Sequence, residues 1–383
     1  MRWIAIFILL LAAGSCVDPF ALHPGDVPDY VVVFGRVSDR PGPYTITVTH
    51  RVGLDAKRVP TGITGARVKI VADDNTSDVL TDLGTGEYIT DSLQGAVGRS
   101  YKLQIQTAEG ERYESAFEEL IPVGVLKNLR REFLLAVDSL DYDRRVRSNG
   151  FNIFLDADFT PEQEGHALWK WSGTFTYTTD PLHAGYTYGS RTFIPDPPPC
   201  TGYRAYNMFP NRPISAGNSG YVIVPITDPP PPCTCCTCWH TIHNDNLILS
   251  DENAVRGGTI KNMKLVFLPV GYLYFQTKFF MTVEQQSISP SVYAFYKQAK
   301  NLNDTGGNLF QTTPSMPSGN VFSVGENQRA IVGLFSVGST RTDTISMKRK
   351  NVPYIIDPPM PYSTLPCEKY FSSETTNIKP PFF

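Results

Sequence analysis

Apolar residues at every second position recur through the first hundred residues, and this period constrains the chain more than any other feature. Ile46 and Val48 alternate with Thr45, Thr47 and Thr49; Ala66, Val68, Ile70 and Ala72 repeat the pattern, as do Tyr101, Leu103 and Ile105. A strand sends successive side chains to opposite faces, so such runs predict half-buried antiparallel strands. Turn-forming clusters at Asp73-Asp74-Asn75 and Gly84-Thr85-Gly86 separate them. With Tyr30–Val37 as the opening strand, the spacing predicts a small immunoglobulin- or transthyretin-like β-sandwich over residues 30–126. The chain carries 31 prolines and 30 glycines beside many Tyr, Phe, Thr and Val, a composition for turns and strands rather than helices. The expected class is mainly β.

Beyond the sandwich, the charged stretch 127–149 reads as a solvated connector with a short strand at 132–137. Asp138, Asp141 and Asp143 lack the glycine that a calcium-binding loop would need. A larger β-rich domain is expected over 150–356. It opens with strands at 150–159 and 168–179, where Trp169, Trp171, Phe175 and Tyr177 share one face. One helix is expected: Ser289 can cap it, Pro290 suits its first turn, and Val292, Phe295, Tyr296 and Ala299 form an apolar stripe. Between lies a long excursion, 180–238, with proline runs at 197–199 and 229–232 that each end at a cysteine. Proline removes ladder donors, so this segment is expected to stay out of the sheets as a disulfide-pinned loop. The tail, 357–383, is proline-rich and held through Cys367.

The first residues carry an address. Arg2 is followed by an uncharged apolar run from Trp3 to Ala13, then Gly14, Ser15 and Cys16. A basic start, an apolar stretch of about 7–15 residues and small residues before a cut are the parts of a secretory signal. A cysteine directly after the small residues resembles a lipoprotein signal covering 1–15, with Cys16 acylated and 16–29 a tether. The other reading is a soluble exported protein in which Cys16 joins a disulfide. No second apolar run approaches the ~20 residues of a membrane helix. A formal net charge of −3 without any Lys/Arg block excludes nucleic acid as an expected partner.

Seven cysteines fit export. Besides Cys16 they are Cys200, Cys233, Cys235, Cys236, Cys238 and Cys367, an even number that suggests three disulfides of open connectivity. A metal site is the rival, because His240 and His243 follow the cysteine run. One-residue gaps suit tetrahedral zinc poorly, however, and no glutamate separates the histidines. No metal or other cofactor is expected. Asp156, Asp158, Glu162 and Glu164 could pair as hydrolytic carboxylates, but their separation in space is not legible. No serine-nucleophile elbow or phosphate loop is present. Tyr186, Tyr188, Tyr203 and Tyr206, set among Gly, Thr and Asn, are the candidate contact anchors.

Several segments together carry a resemblance. They are Ser15-Cys-Val-Asp-Pro19, Tyr30-Val-Val-Val-Phe-Gly-Arg-Val37, Asp39-Arg-Pro-Gly-Pro-Tyr-Thr-Ile-Thr-Val48, and Ser289-Pro-Ser-Val-Tyr-Ala-Phe-Tyr296. Gly307-Asn-Leu-Phe310, Pro317-Ser-Gly-Asn-Val321, Val332-Gly-Leu-Phe335 and Thr376-Asn-Ile-Lys-Pro-Pro-Phe-Phe383 complete the set. In this order they resemble a group of Bacteroidota outer-membrane lipoproteins, domain-of-unknown-function family 4249, often encoded beside TonB-dependent receptors. The family's tail commonly carries two cysteines with two residues between, whereas here Cys367 is followed at that spacing by Tyr370. The resemblance implies the outer membrane, facing the exterior, with a TonB-dependent receptor as partner; it supplies no catalytic residue. Asp91-Ser92, Asp138-Ser139 and Asp343-Thr344, each followed by an apolar residue, look like the O-glycosylation sites of such exported proteins. The expected function is binding, as an accessory subunit of a transporter. The alternatives are a structural or adhesive surface component and a cell-surface hydrolase.

Overall fold

The computed structural model describes residues 30–51, 60–141, 144–179, 187–188, 191–192, 203–207, 221–225, 236–271, 273–305, 317–325, 329–356, 367–369, 371 and 374–383. The chain opens with β1 (Tyr30–Val37), β2 (Thr45–Arg51), β3 (Arg67–Ala72), β4 (Glu87–Ile89), β5 (Ser100–Gln106) and β6 (Arg112–Ser115). A long hairpin, β7 (Val125–Asp141) and β8 (Arg144–Asp158), follows. Then come β9 (Ala167–Thr178), β10 (Thr237–His243), β11 (Thr259–Pro269) and β12 (Lys278–Ser287). Helix α1 (Pro290–Thr305), β13 (Val321–Ser323), β14 (Ala330–Val337) and β15 (Thr340–Lys348) complete the main elements.

The first sandwich packs the sheet β14-β1-β2-β4 against β13-β6-β5-β3, each extended by short strands. Its core is the alternation read from the sequence: Val31, Val33, Ile46 and Val48 meet Val68, Ile70, Leu103 and Ile105. Each sheet turns one face inward and leaves polar residues outside, as antiparallel sandwiches do. Two of its strands come from far along the chain. β14 runs parallel to β1, with Tyr30 opposite Ala330 and Val37 opposite Val337. β13 pairs antiparallel with β6. The expected 150–356 domain therefore does not keep all its strands, because residues 321–337 complete the first sandwich. Periodicity shows that 330–337 is a strand but not which sheet receives it, and a parallel partner leaves no local turn signal.

The expected connector 127–149 is likewise sheet. It lies inside the β7–β8 hairpin, whose 17-residue first strand spans roughly 55 Å at ordinary strand rise. The charges masked a strand whose inner residues are widely spaced by irregular register. Pairing shifts between Lys127 and Arg130, and again between Leu134 and Val137. Asn128 takes φ 48° at the first shift, and Asn262 takes φ 54° where β11 slips against β8. Asparagine tolerates this left-handed backbone better than other side-chain-bearing residues, so both bulges sit where the chain can form them.

The second sandwich packs β7-β8-β11 against β15-β12-β9-β10. Phe151, Ile153, Leu155 and Ala157 on β8 face Trp169, Phe175, Phe279 and Met281 across the core. Gly173 stands in the inward row of β9 because the Phe279 ring occupies the space a Cβ would need. Helix α1 begins where expected: Ser289 Oγ accepts from the Val292 N–H at 3.4 Å. Its Val292, Tyr293 and Phe295 wedge between Leu334 of β14 and Leu168 of β9, joining the two sandwiches. The excursion 180–238 does contain sheet. Tyr203–Asn207 pairs with Tyr221–Pro225, and Thr187–Tyr188 with Arg191–Thr192. The first-named pair lies between the proline runs and the second before them, which explains how they form despite the prolines. No described helix is long and apolar enough to cross a membrane.

Candidate functional site

Cys238 on β10 is bonded to Cys367, with Cα atoms 5.7 Å apart across 129 residues of sequence. Cys236 is also disulfide-bonded. Cys16, Cys200, Cys233 and Cys235 lie outside the described residues, as does Tyr186. Tyr188, Tyr203 and Tyr206 are described as strand backbone only. His240 and His243 fall three apart on β10, so they point to opposite faces. The buried His240 ring stacks on Phe371 at 3.8 Å and its Nδ1 lies 2.9 Å from Thr375 Oγ1. His243 is exposed and pairs with Glu374 at 2.9 Å. Two imidazoles on opposite faces cannot share one ion. Among the described residues no three His, Cys, Asp or Glu side chains converge as a metal site.

The carboxylates of β8 are engaged as acceptors. Asp156 receives the Asn128 amide at 2.7 Å and the Asn262 N–H at 2.8 Å. Asp158 pairs with Lys127 and receives Thr259 Oγ1 at 3.2 Å. These hydrogen bonds, Asn128 leading at Asp156 and Lys127 at Asp158, hold both carboxyls below the usual range. A general acid needs the opposite displacement. Glu162 and Glu164 are exposed beside them. Of the Asp-Ser/Thr positions, Ser92 and Thr344 are exposed, and their N–H groups donate to Asp78 and Asp343. Ser139 lies in β7, its side chain outside the described part.

A concave site lies elsewhere, on the outer face of the second sheet. β9 pairs with β10 from Ser172 onward and with Ile248–Leu249 at Leu168 and Trp169. Between these pairings residues 244–247 leave the sheet. Asn244 fixes that departure: its Oδ1 accepts the Trp171 N–H at 2.7 Å, its own N–H donates to Trp171 O at 3.1 Å, and its amide reaches Asn246 O at 2.7 Å. The loop walls a cleft of about 430 Å³ lined by Lys170, Ser172, His243, Asp245, Asn246, Thr282 and Glu284, with Leu247 as apolar wall.

Charge in the cleft is arranged as a chain. Lys170 and Glu284 stand directly opposite on neighbouring strands. Glu284 accepts from Gln286, which in turn accepts from Arg36 of β1. Arg36 also donates to Gly338 O at 3.0 Å, Ser339 O at 3.3 Å and Thr340 Oγ1 at 2.9 Å. Burial, then the nearby Arg36 charge, lowers the Lys170 ammonium against the pull of Glu284. The inward aromatic row of β9 is the stronger pattern in the sequence and overshadows its complement. Lys170, Ser172, Thr174 and Thr176 were the available signal, a polar row of the same period.

One end of this face is covered by the tail. Residues 375–376 pair with Trp239 and His240 of β10. Phe382 stacks on Phe280 at 4.5 Å, and Lys278 Nζ lies 4.2 Å from the Phe383 ring while donating to Phe382 O at 3.0 Å. The disulfide and the aromatic tail thus brace the strand that borders the cleft.

Residues 17–344 match the sequence model of one protein family, described as Domain of unknown function (DUF4249). No curated protein and no solved structure gives a significant match.

Proposed function

The chain belongs to this family of unknown function, and from that premise we propose a lipid-anchored outer-membrane protein that works by binding. It acts as an accessory subunit of a TonB-dependent transporter, tethered through Cys16 on the outer face of the membrane. The observation that carries the binding role is the braced polar face of β9, β10 and β12 with its cleft. A rigid, preorganised surface loses little entropy on docking. The lipoprotein-type signal and the family's usual genomic company supply the setting. Ser92 and Thr344, both exposed, are proposed O-glycan attachment points.

Purification of the native chain from gently solubilised outer membranes tests the role. A large β-barrel receptor should be recovered in stoichiometric amount; recovery of the chain alone overturns the accessory role. The anchor has its own test. Replacing Cys16 by serine should move the protein from the membrane to the soluble fraction, because a single peptide segment without acyl chains lacks the buried CH₂ groups that hold it.

A further inference from the structure

We propose that the cleft beside Lys170 and Glu284 binds a neutral, hydroxyl-rich ligand, a mono- or disaccharide unit. This deepens the binding role above and rests on it. The volume, about 430 Å³, falls in the range of small-molecule clefts.

The lining selects the ligand by elimination. Glu284 and Asp245 present carboxylates, so an anion would enter against like charge. Lys170, directly opposite Glu284 on the neighbouring strand, opposes a simple cation. A wholly apolar molecule would strip water from Ser172, Asn246, Thr282 and the charged pair without replacing their hydrogen bonds. What satisfies this wall is a neutral molecule carrying donors and acceptors at close intervals. Carboxylates accept from hydroxyls, the ammonium donates to them, and amide and hydroxyl side chains do both. Leu247 offers the apolar flank on which the C–H face of a sugar ring can rest.

The site is also built rather than incidental. Asn244 holds the loop to Trp171 through two bonds, and Glu284 is held by Gln286 from behind. Side chains already fixed in place bind polar ligands at lower entropic cost.

The test uses the purified full-length chain and named probes: glucose, galactose, mannose, N-acetylglucosamine, maltose, lactose and cellobiose, with an uncharged tripeptide as competitor. Saturation-transfer NMR should report binding of at least one sugar, and isothermal titration its affinity. Asp245→Ala, on the exposed loop, and Lys170→Ala should each weaken that affinity about tenfold, as expected for the loss of one hydrogen bond to a charged group. Asp156→Asn, on the other sheet, should leave it unchanged. Raising salt should change it little, since the ligand is uncharged. No transfer to any of the sugars, transfer unaffected by both cleft variants, or displacement by the tripeptide at lower concentration overturns the inference. Because these measurements need no receptor, failure here with receptor co-purification intact removes the ligand class alone. Sugar binding without a receptor removes the transporter role alone.

Discussion

Arg36 ties the two sandwiches together at a single side chain. It leaves β1, gives up water, and spends its guanidinium on Gln286, Thr340 and two carbonyls of the turn between β14 and β15. Burial lowers its pKa, and the carboxylate of Glu284, reached through Gln286, opposes that shift. Arg36→Leu would leave these acceptors buried and unpartnered. Removing one member of such a buried charged network costs about 3–5 kcal/mol, read as a lower urea midpoint. Arg36→Lys keeps the charge but loses the fork, and should fall between. A second clamp, Arg329 on Glu111, closes the first sandwich with bonds of 2.9 and 2.6 Å. Hydrogen bonding to Arg329 lowers Glu111 below its ordinary 4.5. A carboxyl lowered in the folded state adds stability above its unfolded pKa, and that contribution is lost as pH falls through the folded value. Wild type should therefore melt above Glu111→Gln at pH 7, and the gap should narrow below pH 4.5. A gap that stays constant to low pH would show that the clamp is not carried by the ionised carboxylate.

Among the elements, β10 gathers most of what the sequence flagged, and the structure separates its roles. Cys238 and His240 face the core, where the disulfide and the Phe371 stack hold the tail to the sheet. His243 faces outward at the rim of the cleft. The ring closed between Cys238 and Cys367 covers 129 residues of separation, so the chain-entropy estimate for its removal is about 4–5 kcal/mol. Replacing both cysteines by alanine should lower the unfolding free energy by about 2–5 kcal/mol, read as a lower guanidinium midpoint. The loss should be seen under oxidising conditions, with the first sandwich less affected in hydrogen exchange than β10. Strand existence was legible here from alternation, and the helix from its cap and stripe, because both signals are local. The hairpin β7–β8 was not. Its register shifts, the first at Asn128, break the period, and charges such as Lys127 and Arg130 line its outer side. The cleft was hidden for a related reason: Lys170 and Glu284 meet only through pairing of distant strands, and Asn244 joins them through a bond to Trp171 across 73 residues of sequence.

At the scale of the whole molecule the two sandwiches are interleaved, and this sets how the chain must fold. The first 126 residues hold the pattern of a self-contained sandwich, yet β1 completes its edge only when β14 arrives, with Tyr30 meeting Ala330. Val321, Phe335 and Val337 from that late segment are buried in the first core. Each such side chain contributes roughly 1.5–3 kcal/mol on burial. Three together approach the 5–15 kcal/mol by which a whole domain is stable. A fragment ending at residue 126 would lose that contribution and present β1 as an open apolar edge, which favours association. It is expected to lack dispersed amide resonances or to aggregate. Joining residues 317–337 to it by a flexible linker should restore a folded spectrum, since the parallel pairing and the β13–β6 ladder could then form within one chain. A fragment that folds stably without them would show that the late strands only decorate a finished core.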